Sequence, residues 1–383
     1  MIYLDNAAST QIDSRVLDEM MPFLQNEYGN PGSFHSKGAS ARRAIDTARQ
    51  RTAEFVGCKP DQIIFTSGGT EANQLAIFGL ISHLQSIGKT HIITTEIEHH
   101  SVLSVMKILQ DRYSFSISYI PPMMNGRIDI MDIEAEIRPA TGLVCVMAVN
   151  NETGAENPTA EIGRICENNG ILFMTDCVQA AGKQKINIDT MHCDFLTISG
   201  HKIHGPKGSG ALFVKDKSLL DPVILGSRSQ EFGLRGGTEN TAAIVGLGKA
   251  CEIIDEEAFE DIRTARNIFL LMLIEESKKK KLFDNLFWNG CGQSVINFGF
   301  EGVDGESMLL MLNSESVCVS AGAACNTHES EPSYVLTAMR RTPEEARNSI
   351  RVSFSRMNTV GEVSRAAEII TDCASLLRNG GIT

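Results

Sequence analysis

The sequence lacks a basic segment leading into an apolar run at its start, MIYLDNAAST, so no secretory signal is expected. It also lacks any apolar stretch near the roughly 20 residues that span a bilayer. The longest candidate, around 268–274, is short and reads as one buried helix face. There are ten cysteines, from Cys58 to Cys373, but no CxxC pair, so neither a disulfide framework nor a structural zinc site is expected. His201 and His204 stand in an HxxH spacing with no second ligand cluster, so no metal is expected there. The Walker spacing is missing, which disfavours a nucleoside triphosphate. No internal repeat or low-complexity tract occurs. Basic residues are outnumbered 35 to 47, giving a net charge of −12. That balance argues against non-specific binding to nucleic acid or an anionic membrane. Asn151-Glu152-Thr153 matches a glycosylation sequon, which means little in a chain expected to stay in the cytoplasm.

What is present is an ordinary globular composition, 42% hydrophobic and 21% charged, over 383 residues. That length suits two domains, or one large α/β unit with an appendage. Short apolar runs at 62–66, 91–95, 143–149, 171–175, 195–199 and 211–214 have the size and composition of buried strands. Between them, 70–84 and 160–169 read as helices, the second with Gly170 as C-cap. Strands alternating with helices imply a mostly parallel sheet covered on both faces. The last two runs are joined by a Gly-rich stretch that suits either a hairpin or an irregular crossover. Beyond about 250 the pattern changes. A long helical stretch, 241–281, ends in the lysine run 278–281, read as a solvated helix end favoured by the macrodipole. Strand-like runs at 295–298 and 349–353, with helices around them, suggest a smaller α+β domain.

Chemistry gathers at the ends of the apolar runs. Thr66 leads into Ser67-Gly68-Gly69-Thr70-Glu71 and then a helix. Small residues opening a helix leave backbone N–H groups free at the positive end of its dipole, an anion cup; the alternative is a merely capped helix, with Ser67 and Glu71 as the cap. Asp176, with Gln179 three residues later, sits just past another run, where open α/β sheets bind ligands. It could equally cap the next helix. Lys202 lies in the small-residue turn Gly200-His201-Lys202, where an amine can form an imine. Phosphate cup, pyridinium partner and imine-forming lysine are together the parts of a pyridoxal phosphate site. His99, after the run ending at Thr95, could stack on a cofactor or be structural. Cys145, Cys177 and Cys318 fall in apolar runs and read as inert. Cys325 instead sits among Gly, Ala and Ser, the setting of either a nucleophilic thiolate or an inconsequential surface thiol.

Assembled, the chain resembles the cysteine desulfurases of the class V aminotransferases over nearly its whole length. The matching segments are YLDNAAST (3–10), GNPGSFH (29–35), FTSGGTEANQLAI (65–77), EHHSVL (98–103), VNNETG (149–154), TDCVQAAGK (175–183), SGHKIHGPKGSGAL (199–212), LRGGTEN (234–240), SAGAAC (320–325) and IRVSF (350–354). The resemblance implies an α/β fold of the pyridoxal phosphate-dependent transferase kind (aspartate aminotransferase-like, fold type I). A large domain with a mostly parallel sheet, 13–255, would hold the cofactor. A smaller α+β domain, 1–12 plus 256–383, would carry the cysteine loop. By the same resemblance Lys202 would bond pyridoxal 5'-phosphate, Asp176 would pair with the ring nitrogen, Gln179 would bond the phenolic oxygen, and His99 would stack on the ring. Gly69, Thr70, Ser199 and His201 would hold the phosphate, with Thr238 of the partner subunit reaching in across a homodimer. Asn151 and Arg351 would bind the carboxylate of L-cysteine.

The implied activity converts L-cysteine to L-alanine. Lys202 moves the α-proton and Cys325 takes the sulfur as a persulfide, which passes to a protein acceptor. Iron–sulfur assembly, tRNA thiolation and DNA phosphorothioation are the destinations known among relatives, with no direct contact to nucleic acid or membrane. The cysteine loop reads SAGAAC where many members have serines, and the sequence ends soon after a helix around 360–377. The short end suggests a dedicated sulfur donor. Selenocysteine lyase and simple aminotransferase are the rivals on the same scaffold, and a non-catalytic sulfur-transfer scaffold is the rival of another class.

Overall fold

The structure is a computed structural model that describes residues 1–321 and 332–380. Strand β1 (Ile2–Tyr3) opens the chain. The main sheet is built from β2 (Ile63–Thr66), β3 (His91–Thr95), β4 (Ser116–Ile120), β5 (Thr141–Cys145), β6 (Leu172–Asp176), β7 (Phe195–Ser199) and β8 (Gly210–Val214). Its order is β2-β8-β7-β6-β5-β3-β4. Only β8 runs against the other six, pairing antiparallel with both β7 and β2. The Gly-rich stretch after β7 is therefore a hairpin connection.

The sheet is buried on both faces, and its side chains part with period two. Ile63, Ile93, Val144 and Phe173 enter one core, while Ile64, Ile92, Leu143 and Met174 enter the core on the opposite face. A third core lies around β9 (Leu286–Cys291), β10 (Val295–Phe300) and β12 (Ser349–Ser353), which form an antiparallel sheet of order β12-β10-β9. The helices Glu256–Lys279 and Val360–Asn379 cover it, and Leu4 from the start of the chain packs into it. Strand β11 (Val317–Cys318) pairs in parallel with β1, and Asp5 bridges to Ser353. Residues 2–5 are thereby laced to β11 and β12.

Several expected boundaries move. The helix expected over 70–84 is two helices, Gly69–Gly79 and Ile81–Ser86, because the Gly79 carbonyl turns aside to accept the Asp221 N–H. The stretch 241–281 also divides, into Thr241–Glu252 and Glu256–Lys279, where the Asp255 carboxylate caps the second helix at the Ala258 N–H. The run at 143–149 pairs as a strand only to Cys145. Beyond it, Val146 and Ala148 still donate to the carbonyls of Met174 and Asp176, so the chain stays extended beside β6. The helix Thr159–Asn169 does end at Gly170 in the left-handed region. Strands β4 and β9 fall where no strand was expected. Among the described residues no helix is long and apolar enough to cross a membrane.

Candidate active site

Because β2, β3, β5, β6 and β7 point the same way, their carboxyl ends open on one edge of the sheet. Open α/β sheets place ligands at that edge. There a cavity of about 240 Å³ is bordered by Gly69 and Thr70 after β2, His99 after β3, Asn151 after β5, Asp176 and Gln179 at β6, and Ser199, His201 and Lys202 after β7. Arg351 reaches it from β12, and Ala7 and Ala8 close it from the N-terminal segment.

The cup is real. Gly68 precedes the helix Gly69–Gly79 without any side-chain cap, which leaves its first N–H groups free of one. A Cβ at Gly69 would meet Val178 Cγ2 at 2.8 Å, so only glycine lets the helix start lie against the segment after β6. Glu71 accepts the Ser67 N–H at 2.9 Å and pairs with Arg235 at 2.9 Å, so the expected cap partner braces the loop from outside the cavity. His201 stands beside the cup with Nδ1 at 3.3 Å from Ser9 Oγ. Burial, with Lys202, Lys207 and Lys183 nearby, pushes its ring down to about 4, so it serves as a neutral group.

Asp176 ends β6 at the cavity, and no helix follows directly for it to cap. Its Oδ1 accepts the Val178 N–H at 2.9 Å, a local turn bond, while Oδ2 accepts Asn73 Nδ2 at 2.8 Å within the cavity wall. Asn73 also donates to Ser101 Oγ at 2.9 Å. His99 caps the helix His100–Tyr113: Nδ1 accepts the Ser101 N–H at 3.1 Å, which leaves the proton of the neutral ring on Nε2. Burial lowers the pKa of this ring, Asp176 opposes that, and Lys202 and His100 add to it. Next to it Glu98 is buried, accepts from Thr95 Oγ1 and the Met147 N–H, and is pushed by burial to about 8.

Lys202 closes the single turn Gly200–Lys202, and its amine donates to the carbonyl of Ala8 at 2.7 Å and to that of Ala7. Gln179 Nε2 donates to the same Ala7 carbonyl at 2.9 Å. Arg351 is buried, with Nη1 on the Asn151 carbonyl at 3.0 Å and Nη2 on Asp5 at 2.8 Å. Four buried polar atoms of the cavity residues have no partner among the described residues: Asn73 Oδ1, Asn151 Oδ1, Gln179 Oε1 and Arg351 Nε. Buried polar atoms are normally satisfied, so these mark where a bound molecule is to be met.

The structure thus gathers Gly69, Thr70, His99, Asn151, Asp176, Gln179, Ser199, His201, Lys202 and Arg351 around one space. Thr238 is exposed and does not line the cavity of its own chain. Cys325 lies outside the described residues. On either side of it, Ser320 exchanges backbone hydrogen bonds with Arg351, and Ser333 Oγ donates to Glu152. Cys145 and Cys177 are buried, with thiols that burial raises well above their ordinary value, whereas Cys318 is half-buried. Among the described residues no group of three or more His, Cys, Asp or Glu could hold a metal. Sequence reasoning missed Asn73 and the Ala7 and Ala8 carbonyls. The signal for Asn73 was its place one helical turn after Gly69 and Thr70.

A lysine and a carboxylate at strand ends, beside a helix start without a side-chain cap on a mostly parallel sheet, are the arrangement of an α/β enzyme. The chain belongs to the class V aminotransferases, whose family pattern matches residues 2–366. That family is in general pyridoxal phosphate-dependent, with the fold type I architecture. A protein of Nostoc named cysteine desulfurase is 39% identical over 381 residues, covering 99% of this chain and 94% of its own. The solved structure of a NifS-like protein superposes with a TM-score of 0.89 at 31% identity, covering 98% of this chain and all of the other. SspA in complex with cysteine matches with a TM-score of 0.80 at 35% identity, covering 94% of this chain and all of its own.

Proposed function

We propose that this chain is a cysteine desulfurase that holds pyridoxal 5'-phosphate, converts L-cysteine to L-alanine and loads the sulfur on Cys325 as a persulfide. The carrying observation is the meeting of Lys202, Asp176, His99 and Arg351 around one cavity, where the Arg351 Nε donor has no partner among the described residues. The SspA structure with cysteine supports the choice of substrate.

When bound, pyridoxal phosphate supplies an aldehyde that takes up amines and a ring that draws electrons from the substrate's α-carbon. The protein does the rest. The helix start at Gly69 and Thr70, with Ser199 and His201, receives the phosphate, and Thr238 of the partner subunit completes that grip in a homodimer. Asp176 would pair with the ring nitrogen, Gln179 would bond the phenolic oxygen, and His99 would stack on the ring. Arg351 and Asn151 hold the substrate carboxylate. Nζ of Lys202 takes and returns the α-proton. The Cys325 thiolate attacks the substrate sulfur, an S–S bond forms, and the C–S bond breaks with its electron pair going to carbon. Protonation of that carbon then gives alanine.

In this reading the cofactor domain spans 13–255, and residues 1–12 with 256–383 form the second domain. The protein works in the cytoplasm as a sulfur donor to a protein acceptor. The test is Cys325→Ala with L-cysteine as substrate. Sulfide release should vanish while the bound cofactor's absorption persists. Undiminished sulfide release would remove the persulfide step. Alanine-for-keto-acid exchange in place of sulfide would favour a simple aminotransferase.

A further inference from the structure

The chain between Lys202 and β8 carries a lysine that the proposed function leaves unused. Lys207 lies in Gly205-Pro206-Lys207-Gly208, and its backbone is held in place. Ser209 Oγ donates to the Pro206 carbonyl at 2.9 Å, and the Gly200 N–H donates to the Ser209 carbonyl at 2.9 Å. A Cβ at Gly210 would meet Gly68 Cα at 2.7 Å, so glycine brings the end of this turn against the residue that opens the helix Gly69–Gly79. A second cavity, of about 370 Å³, lies there. Gly69, Thr70, Ser199 and His201 border it as they border the first, and Lys207 lines it with them.

Those four residues offer only neutral donors: backbone N–H groups, two hydroxyls, and a ring that burial and nearby lysines keep uncharged. Glu71 also lines the second cavity, where Arg235 pairs with it at 2.9 Å. Lys207 is thus the one cation among the residues that line this cavity. It is exposed, and among the described residues no carboxylate forms an ion pair with it. Its charge reaches the cup, because it is one of those that lower the His201 ring.

We propose that Lys207 is a cofactor-binding residue, which supplies from the second cavity the positive charge that draws the phosphate of pyridoxal phosphate into an otherwise neutral cup. A phosphate monoester carries close to two negative charges at neutral pH, and neutral donors solvate that charge without cancelling it. A flexible ammonium acts on it through space, so its attraction weakens as salt is added. The inference rests on the reading of the first cavity as the pyridoxal phosphate site.

Titration of the cofactor-free full chain with pyridoxal phosphate, read by absorption of the bound cofactor, tests this, with pyridoxal, which lacks the phosphate, as the comparison. Lys207→Met should weaken pyridoxal phosphate binding about fivefold at an ionic strength of about 0.01 M, where screening sets in only beyond ~30 Å. At about 1 M, where it sets in at ~3 Å, the loss should shrink below about twofold. Pyridoxal affinity should stay as it is, and Lys207→Arg should bind both compounds as the wild type does. Equal affinity of Lys207→Met and wild type for pyridoxal phosphate at low salt overturns the proposal. So does an equal loss for pyridoxal, which is what a merely structural role would give. If Lys207→Met does not fold, an equally large loss in Lys207→Arg overturns it instead. A wild type that takes up neither compound defeats the cofactor assignment, whereas an unweakened Lys207→Met defeats only the role of Lys207.

Discussion

Arg351 and Asp5 form a buried ion pair, with Nη2 of the arginine 2.8 Å from the Asp5 carboxylate, across 346 positions of sequence. Asp5 and the Asn151 carbonyl hold two arms of the guanidinium while its Nε stays without a partner among the described residues. In its proposed role of holding the substrate carboxylate, the arginine is thus fixed in advance, and no rotamer freedom is lost on binding. Arg351→Lys keeps the charge but loses the planar fork. Loss of one charge-assisted hydrogen bond, about 1.5–3 kcal/mol, should lower kcat/KM for L-cysteine roughly 10- to 100-fold, chiefly through KM. Steady-state kinetics with a folded variant would check this, and an unchanged KM would contradict the assignment.

Asn73 is the hidden support of the Asp176 carboxylate. In Asn73→Ala, Asp176 keeps only the Val178 N–H, and Ser101 loses its donor. A lost hydrogen bond to a charged group of about 1.5 kcal/mol should weaken pyridoxal phosphate binding roughly tenfold. Titration of the cofactor-free protein by absorption measures it.

His204 sets an acid limit. Its Nδ1 donates to the Gln11 carbonyl at 2.8 Å, and burial lowers its pKa from the usual 6.5 to about 4. The unfolded chain thus takes up a proton near pH 6.5, whereas the folded chain resists until about 4. Stability from this site is full above 6.5 and falls away as the pH drops through that window. His201 follows the same sign. His204→Asn, which tolerates the left-handed φ of 63° at this position, should flatten the fall in thermal midpoint across that pH range. An equally steep fall would show that other groups govern it.

Arg49 and Glu231 make a second buried pair. The guanidinium binds both carboxylate oxygens, at 2.6 and 2.9 Å, and lies over the rings of Phe65 and Phe232. Glu231 also accepts the Phe65 N–H at 2.7 Å. The pair pins a segment in which Glu231 and Phe232 both adopt left-handed φ, a conformation that costs energy outside glycine. Arg49→Ala would strand the buried carboxylate, and a loss of about 3–5 kcal/mol in unfolding free energy is expected from urea titration. A loss below 1 kcal/mol (about a quarter of that) would mean the carboxylate finds water or another partner.

Much of this site was legible because its chemistry sits at the ends of apolar runs. Asp176, Ser199 and Lys202 follow strands whose boundaries the apolar pattern nearly marks, and Gly69-Thr70 opens a helix as its small residues suggested. What escaped were elements without a strong pattern. Strand β4, SISYI, lies at the sheet edge; Ile117 and Tyr119 alternate there with Ser116 and Ser118, but the run is short and only Ile120 of the strand is buried, so the period-two signal was overlooked. The breaks at Leu80 and near Asp255 escaped because the intervening residues keep a helical composition, and contacts or caps decide where the axis turns.

The sequence by itself determined which residues could do chemistry and that they stand at strand ends, since hydrophobic period and turn composition are local properties. Only the tertiary structure decided which of them meet. Asp5 finds Arg351 and Asn73 finds Asp176 because a shared sheet direction and tightly packed cores bring distant segments to one edge. Such pairings depend on three-dimensional register and burial, which no short stretch of residues encodes.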